Sequence, residues 1–177
     1  MNALAPGWRK IVGHDWAVRL LANSITHDRA GHAYLITGPD RIGKMTLARI
    51  FAQALNCTAE VGQRPCGECR ACRLIQDDKH PDVRVILPDV SERGAQSIKI
   101  EHIRRLQQDL SLSAHEARYK MALLKRFDTA NLNAANAFLK TLEEPPSNVI
   151  LLLTATDSDT ILPTINSRCR TLGLRPV

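Results

Sequence analysis

The chain has 177 residues, 44% of them hydrophobic and 24% charged, a length and composition that fit one soluble domain with a full core. No apolar run approaches the ~20 residues of a membrane span, and the opening MNALAPGWRK lacks a signal-peptide core, which predicts a cytoplasmic protein with no membrane partner. A formal charge of +6 permits a polyanionic partner without requiring one, and aromatics at 4% leave no stacking platform for base-specific recognition.

The first helical pattern lies within 8–29, where Trp16, Leu20, Leu21 and Ile25 recur at a helical period after an Ile11-Val12-Gly13 turn, with Asp15 placed to cap it. Next, 33–55 reads AYLITGPDRIGKMTLARIFAQAL: an apolar strand, a glycine-bounded loop and a helix. Gly38, Gly43 and Lys44 have the spacing of a phosphate-binding P-loop, in which bare N–H groups and a helix N-terminus face a triphosphate and the lysine reaches its outer phosphates. A bare GxxxxGK also occurs by accident, but the strand before it and the helix after it are the context the motif needs. One position departs from the pattern: the hydroxyl that ligates Mg²⁺ is replaced by Met45, whose thioether has little affinity for a hard cation. Thr46 could supply a hydroxyl only by a one-residue shift, which turns its side chain by ~100°. Asp40 puts a carboxylate near the expected phosphates, and Arg41 stands where glycine is common.

Cys57, Cys66, Cys69 and Cys72 then interrupt the α/β rhythm over about 57–78. In a reducing compartment such a cluster suits a metal better than disulfides. Their spacing fits a closed tetrahedral zinc site that staples a loop with little core of its own, against the alternative of buried free thiols. Gly67 leaves room for the turn, and Arg64, Arg70 and Arg73 are placed to favour thiolates. An apolar strand at 83–87 follows, then a polar stretch, DVSERGAQS, expected to be a mobile loop. Ile98, Ile100, Ile103, Leu106 and Leu110 trace an amphipathic helix. A buried strand at 121–124 leads to a helix through Ala134, Ala135, Phe138, Leu139 and Leu142 that stops at Pro145-Pro146. The run at 149–153 has the unbroken apolarity of a parallel strand covered on both faces. Strands alternating with helices predict a doubly wound α/β sheet with the P-loop at the carboxyl ends of its strands. Near the end, Ile161 to Ile165 suggests a short helix against the sheet, ahead of Ser167-Arg168-Cys169.

The stretch YKMALLKRFDTANLNAANAFLKTLEEPP at 119–146 resembles the AAA+ subunits of DNA clamp loaders, as do HAYLITGP at 32–39, the cysteine pattern, HPDV at 80–83 and the Ser-Arg-Cys triplet. The resemblance covers almost the whole chain in the family's order. It implies a P-loop AAA+ domain over 1–177, with a five-stranded parallel sheet flanked by helices and a small four-cysteine zinc module inserted. The lid and collar domains that follow in the family are not expected within residues 1–177.

In hydrolysing members the strand ending near Leu124 is followed by Asp-Glu, the acid that organises Mg²⁺ and the base that orients water; here Lys125-Arg126 stand there. Asp128 is the metal aspartate only if the segment is misaligned. Thr156 falls where the family keeps a γ-phosphate sensor, although a strand cap would look the same. Glu143 and Glu144 belong to LEEPP, a rigid turn closing a helix. The resemblance therefore implies a subunit without its own ATPase, holding ATP or ADP weakly and with little Mg²⁺ dependence through Gly38, Gly43, Lys44, Met45, Thr46 and Thr156. It implies that Arg168 acts in trans on a neighbour's ATP, the alternative being an arginine tied to a carboxylate of its own domain. The implied partners are the ATPase motor and delta subunits of the loader, primed DNA within the assembly, and the sliding clamp, with Lys99, Arg104 and Arg105 as undivided candidates for phosphate contact. The competing readings are an active ATPase subunit of the same machine and a stand-alone zinc-containing nucleic-acid-binding module.

Overall fold

The structure, a computed structural model, describes residues 4–177, so the first three residues of the N-terminal decapeptide lie outside the described residues. After a 3₁₀ turn at Pro6–Lys10 the elements run α1 (Asp15–Thr26), β1 (Ala33–Thr37), α2 (Lys44–Asn56), α3 (Arg70–Gln76), β2 (Val83–Ile86), β3 (Asp89–Val90) and β4 (Gln96–Ser97). They continue as α4 (Ile100–Leu110), β5 (Lys120–Leu124), α5 (Leu132–Glu143), β6 (Val149–Ala155), α6 (Pro163–Asn166) and β7 (Arg170–Gly173). Among the described residues, no helix is long and apolar enough to cross a membrane.

The sheet has five parallel strands in the order β2-β5-β6-β1-β7, as expected for a doubly wound fold. Every residue of β1, β5 and β6 is buried because both faces are covered. Alternate side chains serve different cores. Tyr34, Ile36, Met121, Leu123, Ile150 and Leu152 pack with Val18, Leu21, Leu47 and Phe51 of α1 and α2. Leu35, Ala122, Leu124, Leu151 and Leu153 pack with Ile103, Leu106, Phe138 and Ile165 of α4, α5 and α6. On the first face the Tyr34 and Phe51 rings meet edge to face, 5.2 Å between centroids.

Several expectations are corrected. In α1 it is Ala17, Val18, Leu21 and Ser24 that turn inward, while Trp16 and Leu20 are 49% and 45% exposed. The apolar count gives the period of this helix but not its phase, because small residues let α1 approach its neighbours. Asp15 is the first helical residue and not the cap; His14 holds that position without a side-chain cap bond. The expected mobile loop at 89–97 is a small antiparallel hairpin of β3 and β4. Its turn is closed by the Ser91 N–H donating to the Ala95 carbonyl and by Gly94 at φ +80. Ile98 does not enter α4: its N–H donates to Thr129 and its carbonyl accepts from Asn131, making a parallel bridge to the segment before α5. The fifth strand that the resemblance implied had no stretch assigned to it, and it is β7. Of its residues Leu172 alone is buried, so this edge strand carries no apolar run to read.

Candidate functional site

The expected phosphate loop forms at the carboxyl end of β1. The Gly38 N–H donates to the Ala155 carbonyl at 3.2 Å, and a Cβ on Gly38 would meet the Leu174 carbonyl oxygen at 2.8 Å, so the chain beyond β7 itself demands glycine there. Gly43 adopts φ +102 with open space where a side chain would point, and α2 begins at the next residue. Lys44 is buried, and its ammonium donates to the Gly38 and Pro39 carbonyls at 2.5 and 2.9 Å. Burial holds its pKa below the usual lysine value, opposed by Asp40 and reinforced by Arg126. Met45 packs on the apolar cluster of this face, and Thr46 is exposed.

At the end of β5, Arg126 adopts a left-handed conformation (φ 54), with its N–H donating to Thr154 Oγ1 at 3.0 Å. Its guanidinium forks onto Asp128, with Nε to Oδ1 at 3.2 Å and Nη2 to Oδ2 at 3.0 Å, while Nη1 stands 3.8 Å from the Asp40 carboxylate on the phosphate loop. The Asp128 side chain is only 7% exposed. Thr156 Oγ1 lies 3.5 Å from Asp128 Oδ2, so the end of β6 joins the same cluster. Lys125 is exposed and close enough for its charge to act on Lys44. The set Met45, Lys125 and Arg126 offers no hydroxyl or free carboxylate in the two places where a P-loop site holds Mg²⁺, and the residues present do not fit that ion.

The four predicted cysteines converge, their sulfurs all within 4.8 Å of one another. Cys57 and Cys69 Sγ are 3.9 Å apart, close to the ~3.8 Å edge of a tetrahedron with 2.3 Å metal–sulfur bonds, so the cluster could hold a metal ion. N–H groups of Ala59 and Cys66 point at Cys57 Sγ, those of Glu68 and Cys69 at Cys66 Sγ, and that of Cys72 at Cys69 Sγ. Burial alone would raise the Cys69 thiol, but backbone N–H groups of Thr58 and Cys72 outweigh it and bring it down to about 6. The arginines expected to favour thiolates do other work: Arg70 pairs with Glu116 at 3.1 Å and Arg64 donates to the Ala59 carbonyl. The module docks on the main body through Gln53 Nε2, which donates to the Cys72 carbonyl at 2.7 Å, and through Trp8 Nε1, which donates to the Arg64 carbonyl.

Arg168 follows α6, whose Ile165 is fully buried. Its Nη1 donates to the Thr164 carbonyl at 2.7 Å, and its Nη2 pairs with Glu143 Oε1 at 3.0 Å. Both partners of this ion pair are partly exposed, 36% and 49%. This is the contact of the alternative reading of Arg168, a guanidinium tied to a carboxylate of its own domain, and it gives Glu143 a partner that LEEPP alone did not indicate. Neighbouring Cys169 is pushed up to about 11 by burial. Lys99, Arg104 and Arg105 are exposed on or just before α4.

One residue that sequence reasoning passed over is Asp82, fully buried and accepting N–H bonds from His115, Glu116 and Ala117 at 2.7–2.8 Å. HPDV flagged the position, but partners more than thirty residues away left no local signal.

This arrangement defines the class: a P-loop AAA+ α/β domain with an inserted four-cysteine module. A solved gamma-subunit-related protein of DNA polymerase III from Thermotoga maritima shares the fold with a TM-score of 0.67 and 24% identity, over 90% of this chain and 46% of that one. The Thermotoga maritima RuvB branch-migration motor does so at 0.61 and 15%, over 98% and 48%. The chain belongs to the family described as "DNA polymerase III, delta subunit", whose model matches residues 13–177. It is similar to the delta' subunits of Pseudomonas aeruginosa (41% identical, 88% of this chain and 47% of the relative) and Bacillus subtilis (38%, 90% and 47%). It is also similar to the tau/gamma subunit of Haemophilus influenzae (35%, 98% and 25%). The chain spans about half the length of the delta' relatives it matches.

Proposed function

We propose that the chain is the AAA+ domain of a delta'-type clamp-loader subunit that does not hydrolyse ATP, and that it works with sister motor and delta subunits to place a sliding clamp on primed DNA. The observation that carries this reading is Arg126. Where phosphoryl transfer needs a metal-organising aspartate beside a base, this chain has a guanidinium already paired with Asp128, next to an exposed lysine. Met45 removes the other metal ligand independently.

In this reading Arg168 acts on the ATP of a neighbouring subunit. Ile165 gives it a rigid base, and Glu143 is an exposed partner that a γ-phosphate could replace, since a planar guanidinium suits phosphate oxygens. The cysteine cluster holds a structural zinc, because four thiolates leave no open coordination position for catalysis. Lys99, Arg104 and Arg105 supply cations toward the DNA backbone. The tau/gamma relatives favour a second reading, an active motor subunit, because the chain matches one of them over 98% of its length. A steady-state ATPase assay separates the two. The proposed function predicts phosphate release at background level, unchanged by Lys44→Ala, whereas Mg²⁺-dependent turnover abolished by Lys44→Ala would overturn it.

A further inference from the structure

The phosphate loop and the end of β5 disagree with the ion that P-loop sites use, and the form of the disagreement carries an inference of its own. Arg126 does more than fail to bind Mg²⁺. Its Nε and Nη2 are fixed on both oxygens of the buried Asp128 carboxylate, which sets the plane and direction of the guanidinium. Asp128 is in turn within 3.5 Å of the Thr156 hydroxyl, and the backbone N–H of Arg126 is anchored on Thr154, so two strand ends hold the group in place. The remaining terminal nitrogen, Nη1, faces the phosphate loop, where its neighbour is the Asp40 carboxylate at the looser distance of 3.8 Å. Asp40 is 68% exposed and free to swing aside. Lys44, Lys125 and Arg126 stand against Asp40 and Asp128 around the loop, leaving an excess of positive charge, and the Gly43 side of the loop is open.

We propose that Arg126 is a built-in cation that takes the place of Mg²⁺, so that the loop accepts the phosphates of a nucleoside di- or triphosphate without metal. An incoming phosphate displaces the Asp40 carboxylate from Nη1 and takes the Lys44 ammonium from the Gly38 and Pro39 carbonyls. Arginine suits the role because it stays charged and presents a planar pair of donors to phosphate oxygens. A Mg²⁺-nucleotide complex is the poorer ligand, since it brings a second cation to a place where a fixed one already stands and finds no hydroxyl or free carboxylate to complete its shell. This inference rests on reading the loop as a retained nucleotide site and is independent of the assembly role of the chain.

The test is calorimetric titration with ADP and with ATP, in EDTA and in excess Mg²⁺, on the wild-type chain and on Arg126→Ala, Arg126→Lys and Asp40→Asn, with thermal unfolding to verify the fold. The expected result is binding in EDTA that Mg²⁺ weakens severalfold, a loss of about tenfold in EDTA for Arg126→Ala, and partial recovery for Arg126→Lys. Asp40→Asn removes the carboxylate that competes for Nη1 and is expected to tighten binding severalfold, a gain that misfolding cannot mimic. Affinity that rises with Mg²⁺, no binding of either nucleotide at millimolar concentration, or equal affinity in wild type and Arg126→Ala overturns the proposal. None of those results affects assembly with sister subunits, so this inference can fail while the clamp-loader reading stands.

Discussion

Asp82 carries a large effect for a single residue, because a fully buried carboxylate is tolerable only when its oxygens are matched by donors. Burial alone would raise its pKa, but N–H bonds from Glu116, His115 and Ala117, helped by His80, outweigh that and hold it below the usual carboxylate value. A carboxyl whose folded-state pKa lies below its unfolded value stabilises fully above the unfolded pKa, about 3.9, and that contribution is lost as pH falls through the lower folded value. Asp82→Ala leaves three N–H groups without a partner and is expected to destabilise by about 2–4 kcal/mol. Asp82→Asn is expected to flatten the acid limb of a stability curve measured by urea unfolding between pH 6 and pH 3. An acid limb identical to that of the wild type would contradict the assignment. Residue-scale reading of the sequence did best where a position breaks a motif, as at Met45, Lys125 and Arg126, because an absent ligand is visible in one letter. It did worst where the partner is distant, as for Asp82 with residues 115–117 and Arg168 with Glu143.

Among the elements, the cysteine module depends on its cluster more than on its own apolar contacts. Its helix α3 has seven residues and buries Ala71, Cys72 and Ile75, too little to hold an isolated turn and short helix in water. Removal of the proposed zinc by a chelator, or Cys72→Ser, is expected to release the docking of Ile75 and cost about 2–3 kcal/mol. At 2–4 °C per kcal/mol for a domain of this size, the midpoint of thermal unfolding falls by roughly 4–12 °C. Metal analysis of protein purified without chelator is expected to give one zinc per chain, and well under one would contradict the site. That the four cysteines come together was legible from their spacing. How the module attaches was not, since Gln53 to Cys72 and Trp8 to Arg64 are side-chain bonds to backbone carbonyls far along the chain. The same limit explains the hairpin of β3 and β4: DVSERGAQS has turn residues and no alternation, and the pairing comes from backbone bonds that any residues could make.

For the whole molecule, the doubly wound sheet was legible because central parallel strands are covered on both faces and read as unbroken apolar runs, as 33–36, 121–124 and 149–153 do. Edge strand β7 was not, having one face open. The sheet puts the phosphate loop, Arg126 and Thr156 at the carboxyl ends of adjacent strands, and α6 carries Arg168 at a separate place beside the end of α5. Under the proposed function these two places do separate jobs, so a change in the chain's own nucleotide site and a change at Arg168 have separable effects. The most direct measurement is DNA-stimulated ATP hydrolysis by the loader reconstituted with its sister subunits, comparing Lys44→Ala with Arg168→Ala in this subunit at matched assembly. The account predicts an unchanged rate for Lys44→Ala and a fall of 10³–10⁵ at the adjacent site for Arg168→Ala, the range for an arginine supplied in trans. A rate lost with Lys44→Ala and retained with Arg168→Ala would contradict it.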